Sequence, residues 1–218
     1  MSVLQQSVQH QSIPYSTENV PYKNIIQNYQ GDCAVLLGKY KMFSDYIKEF
    51  AKKQKGNGLD IGAGPQGYNS KYFRHCNRLD GCDAEQAVLD SLSRDYTNKF
   101  LCFFGSDKLP YQDSTQDFII CSCMIQHLNS FKELEFGISE ICRILKPNGQ
   151  FYLMFKAGTN DTILEHTNGY YGLRRSFRVF DPEIIIDLCK RNNLTVLTKE
   201  LLLDDNWIPY CCLTFSKN

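Results

Sequence analysis

The chain has 218 residues, enough for one α/β domain with a sizeable buried core. Hydrophobic residues make up 43% and charged residues 22%, ordinary proportions for a soluble globular protein. Its 24 basic and 24 acidic residues cancel, which excludes a global electrostatic drive towards nucleic acid or an acidic membrane, and no apolar run approaches the roughly 20 residues that cross a bilayer.

Residues 1–31 are rich in Gln, Ser, Asn and Tyr without sustained periodicity and read as a flexible or capping N-terminal arm, with the domain proper over 32–218. The start, MSVLQQSVQHQS, lacks the apolar core of a signal peptide, so a cytoplasmic location is expected. Asp32 is a plausible N-cap for a helix to about Lys53, with Val35, Leu36, Met42, Phe43, Tyr46, Ile47 and Phe50 on its apolar face. Short apolar runs then alternate with helical stretches. A strand ends at Asp60-Ile61, followed by a glycine-rich turn and a helix to about His75. A second strand ends at Cys82-Asp83 and a helix follows from about Glu85. Further strands are expected at Phe100–Phe104, Asp117–Cys123 and Phe151–Phe155, with helices at Phe131–Ile144 and Pro182–Asn192. Two last strands, near Leu194–Leu203 and Tyr210–Phe215, are separated by a short Asp204-Asp205-Asn206 turn and should pair antiparallel. This alternation implies a doubly wound, largely parallel sheet with helices on both faces.

Ten cysteines are scattered, several of them inside apolar strands: Cys102, Cys121, Cys123, Cys211 and Cys212. None has zinc-ligand spacing, so reduced cysteines acting as small hydrophobes are expected, and no metal site.

The segment Gly58-Leu-Asp60-Ile-Gly62-Ala-Gly64-Pro-Gln-Gly67 carries the chemistry. Glycines at a strand-to-helix turn let backbone approach a ligand closely. Alone, Gly62-x-Gly64-x-x-Gly67 also matches the dinucleotide fingerprint. Asp60 argues against that reading, because a carboxylate at a buried strand end needs a cationic partner and would repel phosphate. The ammonium of an amino-acid moiety would serve. Asp83, about twenty residues after the loop, suits the hydroxyls of a ribose, or else caps the helix that follows.

With those residues in view, the chain resembles the class I S-adenosylmethionine (SAM)-dependent methyltransferases of the type 11 group, from about Asn57 to Phe155. The resemblance rests on Leu-Asp-Ile-Gly-Ala-Gly, Gly81-Cys-Asp83-Ala84, Leu109-Pro110-Tyr111, Asp117-Phe118, Gln126-His127-Leu128 and Ser139-Glu140-Ile-x-Arg143-Ile-Leu-Lys146-Pro147-Asn-Gly149. It implies a Rossmann-like seven-stranded sheet in order 3-2-1-4-5-7-6 with the last strand antiparallel. It also implies SAM as cofactor, with Asp60, Gly62, Ala63 and Gly64 around its methionine part. Asp83 would hold the ribose, Ala84 would lie beside the adenine, and Cys121 would line the floor through its backbone. The sequence departs from the pattern twice. Gln66 takes the usual third-glycine position, and Gly105 stands where an acid usually reads the adenine amino group, leaving Ser106 or Asp107 to substitute.

Methyl transfer from a sulfonium is an in-line displacement, so the protein contributes mainly alignment, with a general base only if the acceptor must lose a proton. His127 is the candidate base; a purely structural role is its alternative. Tyr15, Tyr22 and Tyr29 of the arm could close over a sulfonium or be ordinary surface residues. His10, His75 and His166 carry no supporting pattern. Between strand five and the next helix lie Tyr170, Tyr171, Arg174, Arg175 and Arg178, which suit an anionic group on a substrate, or else are solvated residues flanking a strand-like Phe177–Phe180. The expected acceptor is a small molecule. Nucleic acid, in the manner of tRNA wobble-uridine enzymes, is possible but not indicated by net charge. A protein acceptor and a non-catalytic SAM-binding subunit are the other readings; no membrane association is expected, and no protein partner is identified.

Overall fold

The structure, a computed structural model, describes residues 41–159, 162–168, 173–202 and 209–218, with side chains for all of these except 41–43, 162–168 and 173–177. Chain order is α1 (Lys41–Lys52), β1 (Asn57–Ile61), β2 (Arg78–Asp83), α2 (Gln86–Ser91), β3 (Lys99–Leu101), β4 (Gln116–Ser122), α3 (Phe131–Ile144), β5 (Leu145–Lys156), β6 (Thr162–Asn168), β7 (Leu173–Val179), α4 (Pro182–Arg191), β8 (Leu194–Leu202) and β9 (Tyr210–Lys217). Seven strands form one sheet in the order β3-β2-β1-β4-β5-β9-β8. Strands β1 to β5 run parallel, and β9 lies antiparallel between β5 and β8. Counted within the sheet, this is the 3-2-1-4-5-7-6 order with its last strand reversed.

Alternation along the central strands sends side chains to two cores. Leu59, Ile61, Ile119, Cys121, Leu153 and Phe155 meet Leu134, Ile138 and Ile141 of α3 and Ile185 and Leu188 of α4. Phe118, Ile120, Tyr152 and Met154 face the other way, onto Ile47 and Phe50 of α1 and Val88 and Leu89 of α2. There Phe73 stacks on Phe118 with ring centroids 5.1 Å apart. Helices therefore cover both faces, and the C-terminal ends of the parallel strands share one edge of the sheet.

Local chemistry explains the helix boundaries. Ser130 caps α3 by accepting the Glu133 N–H, and Asp181 caps α4 through the Glu183 N–H, with Pro182 in its first turn. One expectation fails here: no α-helix follows the glycine loop. Two short 3-10 turns, Pro65–Gly67 and Ser70–Tyr72, replace it. Gln66 (φ 66°) and Gly67 (φ 57°) are both left-handed, which interrupts α-helical winding. The segment after β5 is more ordered than expected: β6 and β7 form a separate antiparallel hairpin, from Thr162↔Val179 to Asn168↔Leu173. The Asp204-Asp205-Asn206 turn, Asp32 and the arm tyrosines lie outside the described residues.

Conserving the connection between β3 and β4 falls to one ion cluster. Arg143 of α3 donates to Leu109 O at 3.0 Å, Tyr111 O at 2.7 Å and the Asp113 carboxylate at 2.9 Å. It also pairs with Glu140 at 2.7 Å, and Glu140 accepts the Leu109 N–H at 2.9 Å. Bonding to Arg143 holds the Glu140 carboxyl below the ordinary carboxylate range. Asp117 plays a similar part, accepting the Asn57 N–H at 2.8 Å and Lys146 at 2.7 Å.

Candidate active site

At the C-terminal edge of the sheet, β1 ends at Ile61 and the chain turns through Gly62-Ala63-Gly64. The Gly62 and Ala63 N–H groups donate to Cys82 O at 2.9 and 3.0 Å, pinning the loop across the end of β2. The Gly64 N–H donates to the Asp83 carboxylate at 3.1 Å.

Each loop glycine is required for a different reason. A Cβ on Gly62 would lie 2.4 Å from Met124 Cγ, and one on Gly67 would lie 2.2 Å from the Tyr96 ring. Packing forbids a side chain at both. Gly64 (φ 67°, ψ 171°) adopts a conformation essentially closed to other residues. Its nearest prospective contact is Gly62 O at 4.0 Å, so the space beside it is open. A ligand can therefore approach the backbone at Gly64.

Asp60 is fully buried. Its Oδ2 accepts the Tyr96 hydroxyl at 2.7 Å and the Asn69 amide at 3.4 Å. Its Oδ1 is buried and has no hydrogen-bond partner among the described residues. Burial pushes the carboxyl up to about 7, against the lowering effect of Tyr96 and Asn69, and the nearby Asp83 charge adds to the rise. A buried carboxylate oxygen without a donor is costly, and a cation placed against it removes the cost. Asp83 is half-buried, its pKa raised by burial and opposed by the N–H groups of Gly64, Glu85 and Ala84. The Glu85 N–H reaches it at 3.3 Å, and the α2 N-cap position itself is occupied by Glu85. Two acids facing one loop make the site attractive to cations and hostile to phosphate. The residues thus fit a ligand carrying an ammonium and hydroxyls.

The remaining candidates are dispersed around this centre. Half-buried Ala84 follows Asp83 directly. Cys121 is fully buried and pairs with Ile61 on one side and Leu153 on the other, at the end of β4. Exposed Ser106 and Asp107 both bind the Phe103 backbone, Ser106 donating to Phe103 O at 3.0 Å and Asp107 accepting the Phe103 N–H at 2.8 Å. At Gly105 (φ 94°) a Cβ would meet Glu133 Cβ at 2.8 Å and Glu133 O at 2.9 Å, which explains why no acid stands there. His127 is exposed on the 3-10 turn Ile125–His127. Its buried neighbour Gln126 accepts the Lys156 N–H at 3.2 Å, joining the end of β4 to the end of β5. Arg178 donates to Asn129 O at 2.7 Å, linking β7 to the entry of α3. Arg174 and Arg175 lie on β7, opposite Thr167 and His166 of β6, with their side chains outside the described residues, as are Tyr170 and Tyr171 altogether. His75, exposed, contacts Ala51 O at 3.1 Å and so serves the end of α1.

Tyr96 and Asn69 have no signal in the sequence beyond residue type, whereas Gln126 belongs to a motif of the resemblance without a role assigned there. Tyr96 is separated from Asp60 by 36 positions, and only the folded sheet brings them together. Among the described residues the nine cysteines are all free thiols, and no cluster of His, Cys, Asp or Glu could hold a metal. No described helix is long and apolar enough to cross a membrane. A hollow lined by Ile184, Asp187, Lys190 and Arg191 on α4 shares no residue with the glycine loop and has no part in this site.

Residues 59–153 match the profile of the type 11 family described as a methyltransferase domain. No curated protein matches the sequence. Among solved structures, the chain is similar to a SAM-dependent methyltransferase from Methanosarcina mazei, at 17% identity and a TM-score of 0.62, over 74% of this chain and 92% of that one. It is similar to a chain of the Haloferax volcanii complex containing the Trm112 methyltransferase activator, at 14% identity and a TM-score of 0.67, over 89% and 95%. A third similar structure is the N-methyltransferase NodS from Bradyrhizobium japonicum with S-adenosyl-L-homocysteine, at 16% identity and a TM-score of 0.56, over 74% and 78%. At these identities the structures speak for the fold. Residues 59–153 thus carry a methyltransferase domain, and the strand order and glycine loop are those of the Rossmann-like fold shared with the SAM-dependent methyltransferase structures.

Proposed function

We propose that the domain holds SAM along the ends of β1, β2 and β4 and methylates a small molecule. Bound there, SAM supplies an activated methyl on a sulfonium. Asp60 Oδ1 receives the ammonium of the amino-acid part, and the open backbone at Gly62, Ala63 and Gly64 accommodates that part. Asp83 accepts the ribose hydroxyls while keeping its own bond to the Gly64 N–H. Ala84 lies beside the adenine, and Leu101 and Phe103, 49% and 52% exposed, offer apolar surface next to it. Leu101 is the register partner of Asp83, which places this surface beside the acid. The adenine amino group then relies on the turn at Phe103 to Asp107, where Ser106 and Asp107 are the polar side chains. Cys121 contributes backbone at the floor. His127 is exposed, which suits a base that meets the acceptor as well as it suits a surface role.

The observation that carries this reading is the buried, partnerless Asp60 Oδ1, with open space four residues on at Gly64. Neutral overall charge favours a small acceptor over RNA. We assign acceptor specificity to the arm at 1–31 and to Tyr170, Tyr171, Arg174, Arg175 and Arg178, on residue type and place in the sequence, with 32–218 as the catalytic domain. Calorimetric titration with S-adenosylhomocysteine and with NAD tests the cofactor site. Binding of the first alone, weakened roughly 10- to 100-fold in Asp83→Ala, is expected from loss of a charge-assisted hydrogen bond. Binding of NAD alone would overturn the assignment. Transfer of labelled methyl to small-molecule pools rather than to RNA or protein tests the acceptor class.

A further inference from the structure

The Tyr96 ring occupies a slot made by two glycines. A Cβ on Gly67 would lie 2.2 Å from its Cε2, and one on Gly81 would lie 2.8 Å from its Cδ1. Gly67 belongs to the turn after the glycine loop, and Gly81 is the β2 residue paired with Asp60. Between these two backbones the ring is held with its hydroxyl 2.7 Å from Asp60 Oδ2. Tyr96 is 4% exposed, so no water competes for that bond. The Asn69 amide is the second donor to the same oxygen, at 3.4 Å. Both described donors therefore converge on Oδ2 and leave Oδ1 turned away from them, buried and unpartnered.

This arrangement also accounts for the displaced glycine of the loop. With the third glycine at position 67 instead of 66, the chain passes over the Tyr96 ring without a side chain pressing on it, and Gln66 takes up a left-handed conformation to allow it. The Gln66 N–H is then satisfied by Ser91 Oγ at 3.1 Å.

We propose that Tyr96 is the positioning residue of the cofactor site: its hydroxyl fixes the rotation of the Asp60 carboxylate so that Oδ1 faces the ammonium of the cofactor's amino-acid part. The proposal rests on the assignment of Asp60 to that ammonium. Without the hydroxyl, the carboxylate can turn, and the Oδ1 geometry is no longer set before binding. The adenosine part, held at Asp83 and Ala84, is untouched by this change. Tyr96 thus discriminates between ligands that carry the amino-acid part and ligands that lack it.

The test compares two probes, S-adenosylhomocysteine and 5′-methylthioadenosine, which share the adenosine and thioether but differ in the amino-acid part. Tyr96→Phe keeps the ring in its slot and removes only the hydroxyl. We expect it to weaken S-adenosylhomocysteine about tenfold and to leave 5′-methylthioadenosine unchanged, by calorimetry. Asn69→Ala, at a longer bond and away from the two-glycine slot, should show the same selectivity with a smaller loss. Equal weakening of both probes by Tyr96→Phe would reduce Tyr96 to a packing residue and overturn the proposal, as would no change for either. Asp60→Asn separates the two layers of the argument. If it weakens S-adenosylhomocysteine selectively while Tyr96→Phe does not, only the positioning role fails. If Asp60→Asn leaves both probes unaffected, the Asp60 assignment itself falls.

Discussion

Asp60 is a stability liability of the unliganded fold, and the size of that liability can be worked from its environment. Burial raises its folded-state pKa to about 7, whereas an unfolded aspartate titrates near 3.9. The folded state therefore binds the proton more tightly, so this group's contribution is fully present below the unfolded pKa and is lost as pH rises towards 7. A difference of roughly three pKa units at about 1.4 kcal/mol each makes the total loss about 4 kcal/mol. Asp60→Asn removes the titration. The asparagine carbonyl can still accept from Tyr96, while its amide takes the place of Oδ1 and remains a buried donor, a cost of about 1–3 kcal/mol that does not change with pH. The stability gap between variant and parent should therefore move in the variant's favour by about 3 kcal/mol between about pH 4.5 and about pH 8. Urea denaturation of both proteins at the two pH values measures it, and titrating groups that do not interact with Asp60 cancel in the comparison. A gap that stays constant within about 1 kcal/mol would refute the burial argument for Asp60.

Arg143→Ala strips Leu109, Tyr111, Asp113 and Glu140 of a shared partner and leaves the Glu140 carboxylate buried. It should cost about 3 kcal/mol in urea denaturation, and a loss under about 1 kcal/mol would contradict the clamp. Gly105→Asp restores the acid expected of the family, but a side chain there meets the Glu133 backbone oxygen at 2.9 Å. The variant should be less stable and bind S-adenosylhomocysteine no more tightly; tighter binding would show that the turn can open. Burial pushes the Cys211 and Cys212 thiols up to about 12, so both should resist an aromatic disulfide reagent in the native protein at neutral pH and react once it is unfolded. Rapid native reaction at either, located by peptide mapping, would contradict their burial.

The sheet was legible because strands, helices and the glycine loop are encoded locally. Helix α3 begins and ends where the pattern predicts, since Ser130 supplies a cap and Leu134, Ile138 and Ile141 recur at helical spacing on one face. Asp60 was legible because a carboxylate in an apolar strand contradicts its surroundings. The turn at Pro65–Tyr72 was not, because Gly67 answers to a ring 29 positions ahead and not to its sequence neighbours. Asn69 and Tyr96 were hidden for the same reason: an asparagine in a turn and a tyrosine before a strand are unremarkable until the fold sets them against one carboxylate.

The family motifs divide by what they touch. Leu109-Pro110-Tyr111, Glu140, Arg143, Asp117 and Lys146 bond to one another and to backbone, fixing the β3–β4 connection and the start of β5. None of those bonds involves Asp60, Gly64 or Asp83. These motifs of the resemblance thus act as scaffold in this chain. The features that point to the cofactor's charge are instead the two acids Asp60 and Asp83 and the open backbone at Gly64. That division explains why the methyl donor can be read from this sequence while the acceptor cannot: the residues proposed for the donor lie at the ends of β1 and β2, inside the matched segment, whereas Arg174, Arg175 and Arg178, proposed for the acceptor, sit on β7, beyond residue 153 where the profile match ends.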